Sequence, residues 1–157
     1  MKVDVEIVLS RIEKILKEKF NLKLTEIDLE KNDGVTLKAV SDKAYIMQSL
    51  DESVANYDPT IFYGVESSPS VSQYGATSKT VNVEVSVIIA DSQDKNIYKR
   101  LFRYQRAIEE VINENYVQLK LGSKFKITSL EPIGFKVNNS TSEFKAIGVI
   151  IENEIFT

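Results

Sequence analysis

The 157-residue chain contains no cysteine and no histidine. Without cysteine there is no disulfide, no thiolate nucleophile and no cysteine metal ligand. Without histidine the commonest general base near neutral pH and the commonest transition-metal ligand are both missing. A carboxylate-only hydrolase or a magnesium site remains open to such a chain. Long apolar runs are absent too, and none approaches the ~20 residues of a bilayer-spanning helix. Met1-Lys2-Val3-Asp4-Val5-Glu6 brings acids early and has no apolar core or small-residue cleavage site. It does not read as a secretory signal, so residence in the cytosol, or in a particle assembled there, is expected. Gly64, Gly75, Gly122, Gly134 and Gly148 are isolated, and none has the lysine-serine ending of a phosphate-cradling loop. The net charge of −3 gives no wholesale attraction to nucleic acid. No catalytic residue, cofactor or metal is expected.

What the chain does have is an ordinary globular mix, 43% hydrophobic and 27% charged. A single domain of this size buries about two-thirds of its unfolded surface. Val5, Val8, Leu9, Ile12, Leu16 and Phe20 recur at spacings of three and four, predicting an amphipathic helix over 4–20. Asp4 is its candidate N-cap and Asn21 its candidate stop. Residues 22–29 read as a period-two strand, Lys31-Asn32-Asp33-Gly34 as a turn with Gly34 free to take positive φ, and 35–40 as a second strand. The simplest pairing of the two strands is a hairpin. Residues 45–50 read as a short strand or helical turn, and 60–65 as a strand. The acids of 51–58 read as polar surface rather than a metal site.

Residues 66–78 carry one charge and five serines. The stretch exceeds the usual connection in a compact domain, so it is either a loose loop or an arm ordered by a partner. Val71 and Tyr74 are its binding candidates.

The most strongly patterned unit spans 79–115. Val81, Val83, Val85, Val87 and Ile89 place five β-branched residues on one face of a strand. Asp94 or Ser92 can cap the helix that follows, predicted over 95–115. Its core arc is Ile97, Leu101, Tyr104, Ile108, Val111 and Ile112, with Ala107 allowing close approach. Arg103, Arg106 and Glu110 lie on the opposite arc, where Arg106 and Glu110 are four apart and can pair. Tyr98 and Phe102 fall outside both arcs, on a flank near Gln105. Beside Lys99, Arg100, Arg103 and Arg106, this pair suits a protein interface, a nucleic-acid surface, or a helix flank wrapped by the arm. Strands are expected at 125–130, 135–137 and 144–156, with a break at Pro132 and Gly134. The expected fold is α+β: a mixed, mostly antiparallel sheet with two main helices packed on one side, plus a long protruding loop or arm.

This order resembles the tail terminator and tail-completion proteins of tailed bacteriophages, the tail-side head–tail joining proteins that also occur in prophages and phage-derived tail particles. The resemblance rests on the helix at 4–20 and on strand 80–90 leading through Asp91 and Asp94 into Tyr98-Lys99-Arg100-Leu101-Phe102-Arg103-Tyr104. It rests also on Thr128-Ser129-Leu130-Glu131-Pro132 and the last strand from Phe144-Lys145-Ala146. Residues 41–78 lie outside it. The resemblance implies one domain over 1–157 that forms a homo-oligomer, commonly a hexameric ring. Such a ring caps the tail tube, ends its polymerisation and joins tail to head. The implied partners are the tail tube protein and a neck or head-completion protein, with DNA only as passing cargo and no membrane. The implied location is the host cytoplasm during assembly, then the virion tail or neck. The family does no chemistry. Interface candidates are Val71, Tyr74, Tyr98, Phe102, Arg103, Arg106 and Glu110. The alternatives are another structural part of the same particle (head-completion, tube or baseplate), a nucleic-acid module using Tyr98, Arg100, Phe102, Arg103 and Arg106, or a carboxylate enzyme using Asp91, Asp94, Glu109 and Glu110.

Overall fold

Helix α1 runs over Val5–Lys31, well past its expected end at Asn21. Its buried residues Val8, Leu9, Ile12, Ile15, Leu16, Phe20, Leu24 and Ile27 keep the helical spacing throughout. The expected strand at 22–29 is therefore the second half of this helix. Leu22 and Leu29 settle the point: they are 66% and 76% exposed, while Leu24 and Ile27 are buried. A strand would have put Leu22 and Leu24 on one face. Asn21 does not stop the helix because its side chain has a tertiary task. Its Nδ2 donates to the Val40 carbonyl at 2.9 Å and its Oδ1 accepts from the Val40 amide at 2.8 Å.

The computed structural model describes residues 5–47, 57–67, 78–91, 94–120, 125–136 and 143–156. Arm residues 68–77, with Val71 and Tyr74, lie outside the described residues, as do the two candidate caps Asp4 and Ser92.

α1 ends where Asn32 and Gly34 take positive φ, 44° and 82°. The chain then returns along the helix in extended form, with Val35, Leu37 and Val40 buried. No hairpin forms here. The backbone of 35–40 is satisfied by side chains instead of by a strand partner. Asp28 accepts from the Leu37 amide, Asn21 holds Val40, Arg103 donates to the Val35 carbonyl, and the Tyr104 hydroxyl donates to the Lys38 carbonyl.

After a short 3-10 turn at Asp42–Ala44 come β1 (Tyr45–Met47), β2 (Thr60–Ser67), β3 (Ser78–Ala90), α2 (Ile97–Glu114), β4 (Lys126–Ser129), β5 (Ile133–Lys136) and β6 (Glu143–Phe156). They make one six-stranded sheet in the order β1-β2-β3-β6-β4, with β5 also on β6. Among the described residues only β1 and β2 pair in parallel. The fold is α+β, with two helices and a mostly antiparallel sheet. β3 and β6, the two longest strands, pair from Ser78↔Phe156 to Ala90↔Phe144 and form its spine.

Register fixes the two faces of the sheet. Val83↔Ile151, Val85↔Val149 and Val87↔Ile147 point to the helices. α2 lies over β3 and β6, and α1 over β2. All five β-branched residues expected on the buried face of β3 join this core, as does the whole expected apolar arc of α2. On the other face Ile88, Phe144 and Ala146 form a small separate cluster with Phe62, Ala90 and Phe135. That cluster contains no helix residue.

Candidate assembly interface

α2 has three working flanks besides its core arc. The first faces α1. The two helices run antiparallel, and polar pairs link them from one end to the other. Lys19 donates to Asn115 at 2.8 Å, and Lys23 pairs with Glu114 at 2.8 Å and lies 3.8 Å from Glu110. Arg106 pairs with Glu30, Arg103 with Asp33, and Lys99 with Asp33 at 3.3 Å. Arg106 also binds Glu110 at 2.9 Å, as its i,i+4 spacing predicts. Most of these pairs sit at the surface and each contributes about 0–1 kcal/mol. Arg103 differs, being only 6% exposed and donating also to the Val35 carbonyl. The Arg103 guanidinium holds the Asp33 carboxyl well below its ordinary value. Hydrogen bonds that Lys23 donates to Glu114 and Glu26 raise its ammonium above the usual lysine range.

These contacts change the meaning of the basic run on α2. Lys99, Arg103 and Arg106 reach acids of the α1 end of the chain, and Arg100 reaches Asp94 at 2.9 Å. Each of the four cations thus has a carboxylate within the chain. The three interface candidates Arg103, Arg106 and Glu110 are brought together on the α1 side and tie the helices to each other.

The second flank is the N-terminal end. The N-cap is Asn96, without a side-chain capping bond, rather than the expected Asp94. Asp94 instead shapes the turn before the helix, its side chain accepting from the Asn96 amide and its carbonyl from the Ile97 amide. Asp91 pairs with Lys145 at 3.4 Å, Glu109 accepts from Ser129, and Glu110 is bound to Arg106. The four carboxylates weighed as catalytic candidates thus stand in four separate contacts. Among the described residues no group of three or more His, Cys, Asp or Glu could hold a metal ion. No helix among them is long and apolar enough to cross a membrane.

The third flank faces the β4–β5 edge of the sheet and carries the off-arc residues. The Lys145 ammonium sits 5.6 Å from the centre of the Tyr98 ring, a cation–π contact. Gln105 is buried and donates to the carbonyls of Leu130 and Gly148, both at 2.8 Å. Gln105 thus bridges the gap where the edge strand breaks between β4 and β5. Tyr98 and Phe102 stay 51% and 53% exposed. They are together, as their spacing of four predicts, and Ile133 on β5 is also exposed. Gln105 and Ile133 are contributions that sequence reasoning underused. A lone amide among apolar neighbours and an isoleucine between Pro132 and Gly134 were the available signals.

No protein-family model matches the sequence, and no curated protein matches it.

Proposed function

We propose that the chain is a structural protein of a phage or phage-derived tail. In this reading it assembles into a ring that caps the tail tube, ends its polymerisation and joins tail to head. The observation that supports it most is the one-sided sheet. Both helices pack on one face, while the other keeps Phe62, Ile88, Phe135, Phe144 and Ala146 in a cluster of their own. Ile88, Phe144 and Ala146 of that cluster are themselves buried, so the apolar surface a partner would meet is exposed Tyr98, Phe102 and Ile133. Apolar surface gathered this way marks a place for a partner. Aromatic residues concentrate in protein interfaces. The order of helix, strands, helix and returning strands is the one on which the tail-terminator resemblance rests.

Light scattering and negative-stain imaging of the purified chain, alone and mixed with a tail tube protein, test the proposal. A closed ring, or one that forms on the tube end and halts its growth, is expected. Tyr98→Ser with Phe102→Ser should weaken assembly without unfolding the chain, since both side chains are half in solvent. A strictly monomeric chain that leaves tube growth unchanged would overturn the proposal.

A further inference from the structure

The outer face of the sheet holds a groove of about 340 Å³, lined by Glu84, Ser86, Leu130, Glu131, Ile133 and the 146–148 stretch of β6. Two features of the chain create it. The edge strand breaks between Ser129 and Ile133, and Gly148, packed hard against Ser86, adds no side chain of its own to the floor. The groove has an apolar floor and two carboxylates, and no lysine or arginine lines it. Lys126, the nearby outer-face cation, stands opposite Glu152 on the neighbouring strand. A groove of this chemistry fits a lysine or arginine side chain whose methylene stem lies on the floor and whose head meets the acids.

The chain carries matching cations on its other layer. Arg11 and Lys14, three apart on α1, share an outward groove with Ile7, Ser10 and Glu6. The other α1 and α2 cations facing each other, Lys23, Arg103 and Arg106 among them, are already paired. Arg11 and Lys14 have no ion-pair partner among the described residues.

Resting on the ring reading, we infer that the Glu84–Glu131 groove receives the Arg11–Lys14 face of α1 from a second copy of this chain. Charge selects this geometry. A two-fold contact would set groove on groove or helix face on helix face, because Glu84 and Glu131 lie on the opposite layer from Arg11 and Lys14. A head-to-tail contact sets acid against base at every joint, and such heterologous contacts close into a ring when the rotation between neighbours divides a full turn.

The test uses the full chain in two charge-reversed forms, Arg11→Glu with Lys14→Glu and Glu84→Lys with Glu131→Lys. Circular dichroism checks that each folds, and Glu131→Lys alone serves if the half-buried Glu84 does not tolerate lysine. Sedimentation velocity is expected to show each form alone associating about a hundredfold more weakly than wild type, because every joint then carries like charges. An equimolar mixture of the two should recover assembly, since acidic helix then meets basic groove and basic helix meets acidic groove at alternating joints. A wild-type ring indifferent to both reversals overturns this contact and leaves the ring standing. Loss with the groove reversal alone, but not with the α1 reversal, overturns α1 as the occupant. A wild type monomeric even with tube protein removes the ring itself.

Discussion

Replacing Gly148 by alanine should be among the most damaging single-methyl changes in this molecule. A Cβ at that position would lie 2.2 Å from the Ser86 Oγ, 2.5 Å from the Val85 carbonyl oxygen and 2.9 Å from the Ser86 Cα. Carbon contacts are comfortable only at roughly 3.5–4.0 Å. The Ser86 hydroxyl can rotate away, at the loss of its 3.2 Å hydrogen bond to Glu84. The other two atoms are backbone of β3, and moving them means parting β3 from β6 by about an ångström at the centre of the spine. Overpacking of this kind costs about 1–3 kcal/mol. The backbone origin of two of the three clashes places Gly148→Ala near the upper end, about 3 kcal/mol. For a domain of this length that corresponds to a melting temperature lower by about 6–12 °C.

Urea unfolding followed by far-UV circular dichroism measures the effect, with wild type and variant compared in the same oligomeric state, since assembly adds apparent stability. The midpoint should fall with the slope unchanged. Adding Ser86→Gly to Gly148→Ala should recover part of the loss, because it removes the hydroxyl but leaves the Val85 carbonyl in place. A single variant within about 0.5 kcal/mol of wild type would refute the close β3–β6 approach at this position, because surface-like tolerance belongs to sites without such contacts. Full recovery in the double variant would show that the side chain, not the backbone, sets the constraint.

Three further outcomes follow from particular contacts. Leu24→Ala should destabilise by about 2–5 kcal/mol and Leu22→Ala by less than about 0.5 kcal/mol, a contrast in denaturant midpoints that a strand at 22–29 could not give. Gln105→Leu leaves the Leu130 carbonyl without its side-chain donor, though the Gly148 carbonyl keeps the Leu130 amide. A loss of about 1–2 kcal/mol and faster amide exchange in β4 are expected. Asp33 gives a pH dependence. Its folded carboxyl is held below the ordinary 3.8 chiefly by Arg103. Its stabilisation is therefore complete above pH ~4 and is lost as acid drives the pH down toward the lower folded value. Asp33→Asn should flatten that acid limb of the stability curve, and an unchanged acid limb in urea titrations between pH 5 and 2 would count against the pair.

The parts legible from sequence are those where one periodicity has one explanation. In β3, five β-branched residues alternate with mostly polar ones, and in α2 the arc from Ile97 to Ile112 repeats without a competing pattern. Residues 22–29 read as a strand because Leu22 and Leu24 satisfy alternation locally. Glu26 breaks that alternation, while Ile27, three after Leu24, continues the helical stripe from Phe20. Asn21 looked like a stop because asparagine favours helix ends. Its partner, the backbone of Val40, is nineteen residues away and invisible to any local window. The same holds for 35–40, where burial alternates as expected for extended chain but the partners are side chains of both helices. Pairing is a tertiary fact, and alternation alone does not supply it.

The candidate surface was legible in a different way. Tyr98 and Phe102 were visible because they fit neither the core arc nor the charged arc of α2, and that misfit survives folding. The arginines beside them did not stay free, for a reason rooted in the length of α1. A helix ending at Asn21 would leave Glu30 and Asp33 on a hairpin, with no fixed place beside α2. A helix running to Lys31 carries Lys23, Glu30 and then Asp33 alongside α2 in antiparallel order, and so brings a carboxylate to Arg106 and to Arg103. Extending one helix by ten residues thus converts a basic surface into an internal clasp. It leaves exposed Tyr98 and Phe102, the outer-face groove and the Arg11–Lys14 face as the surfaces that the helix clasp does not use. Those three, not the arginine run, are where substitutions should separate assembly from folding.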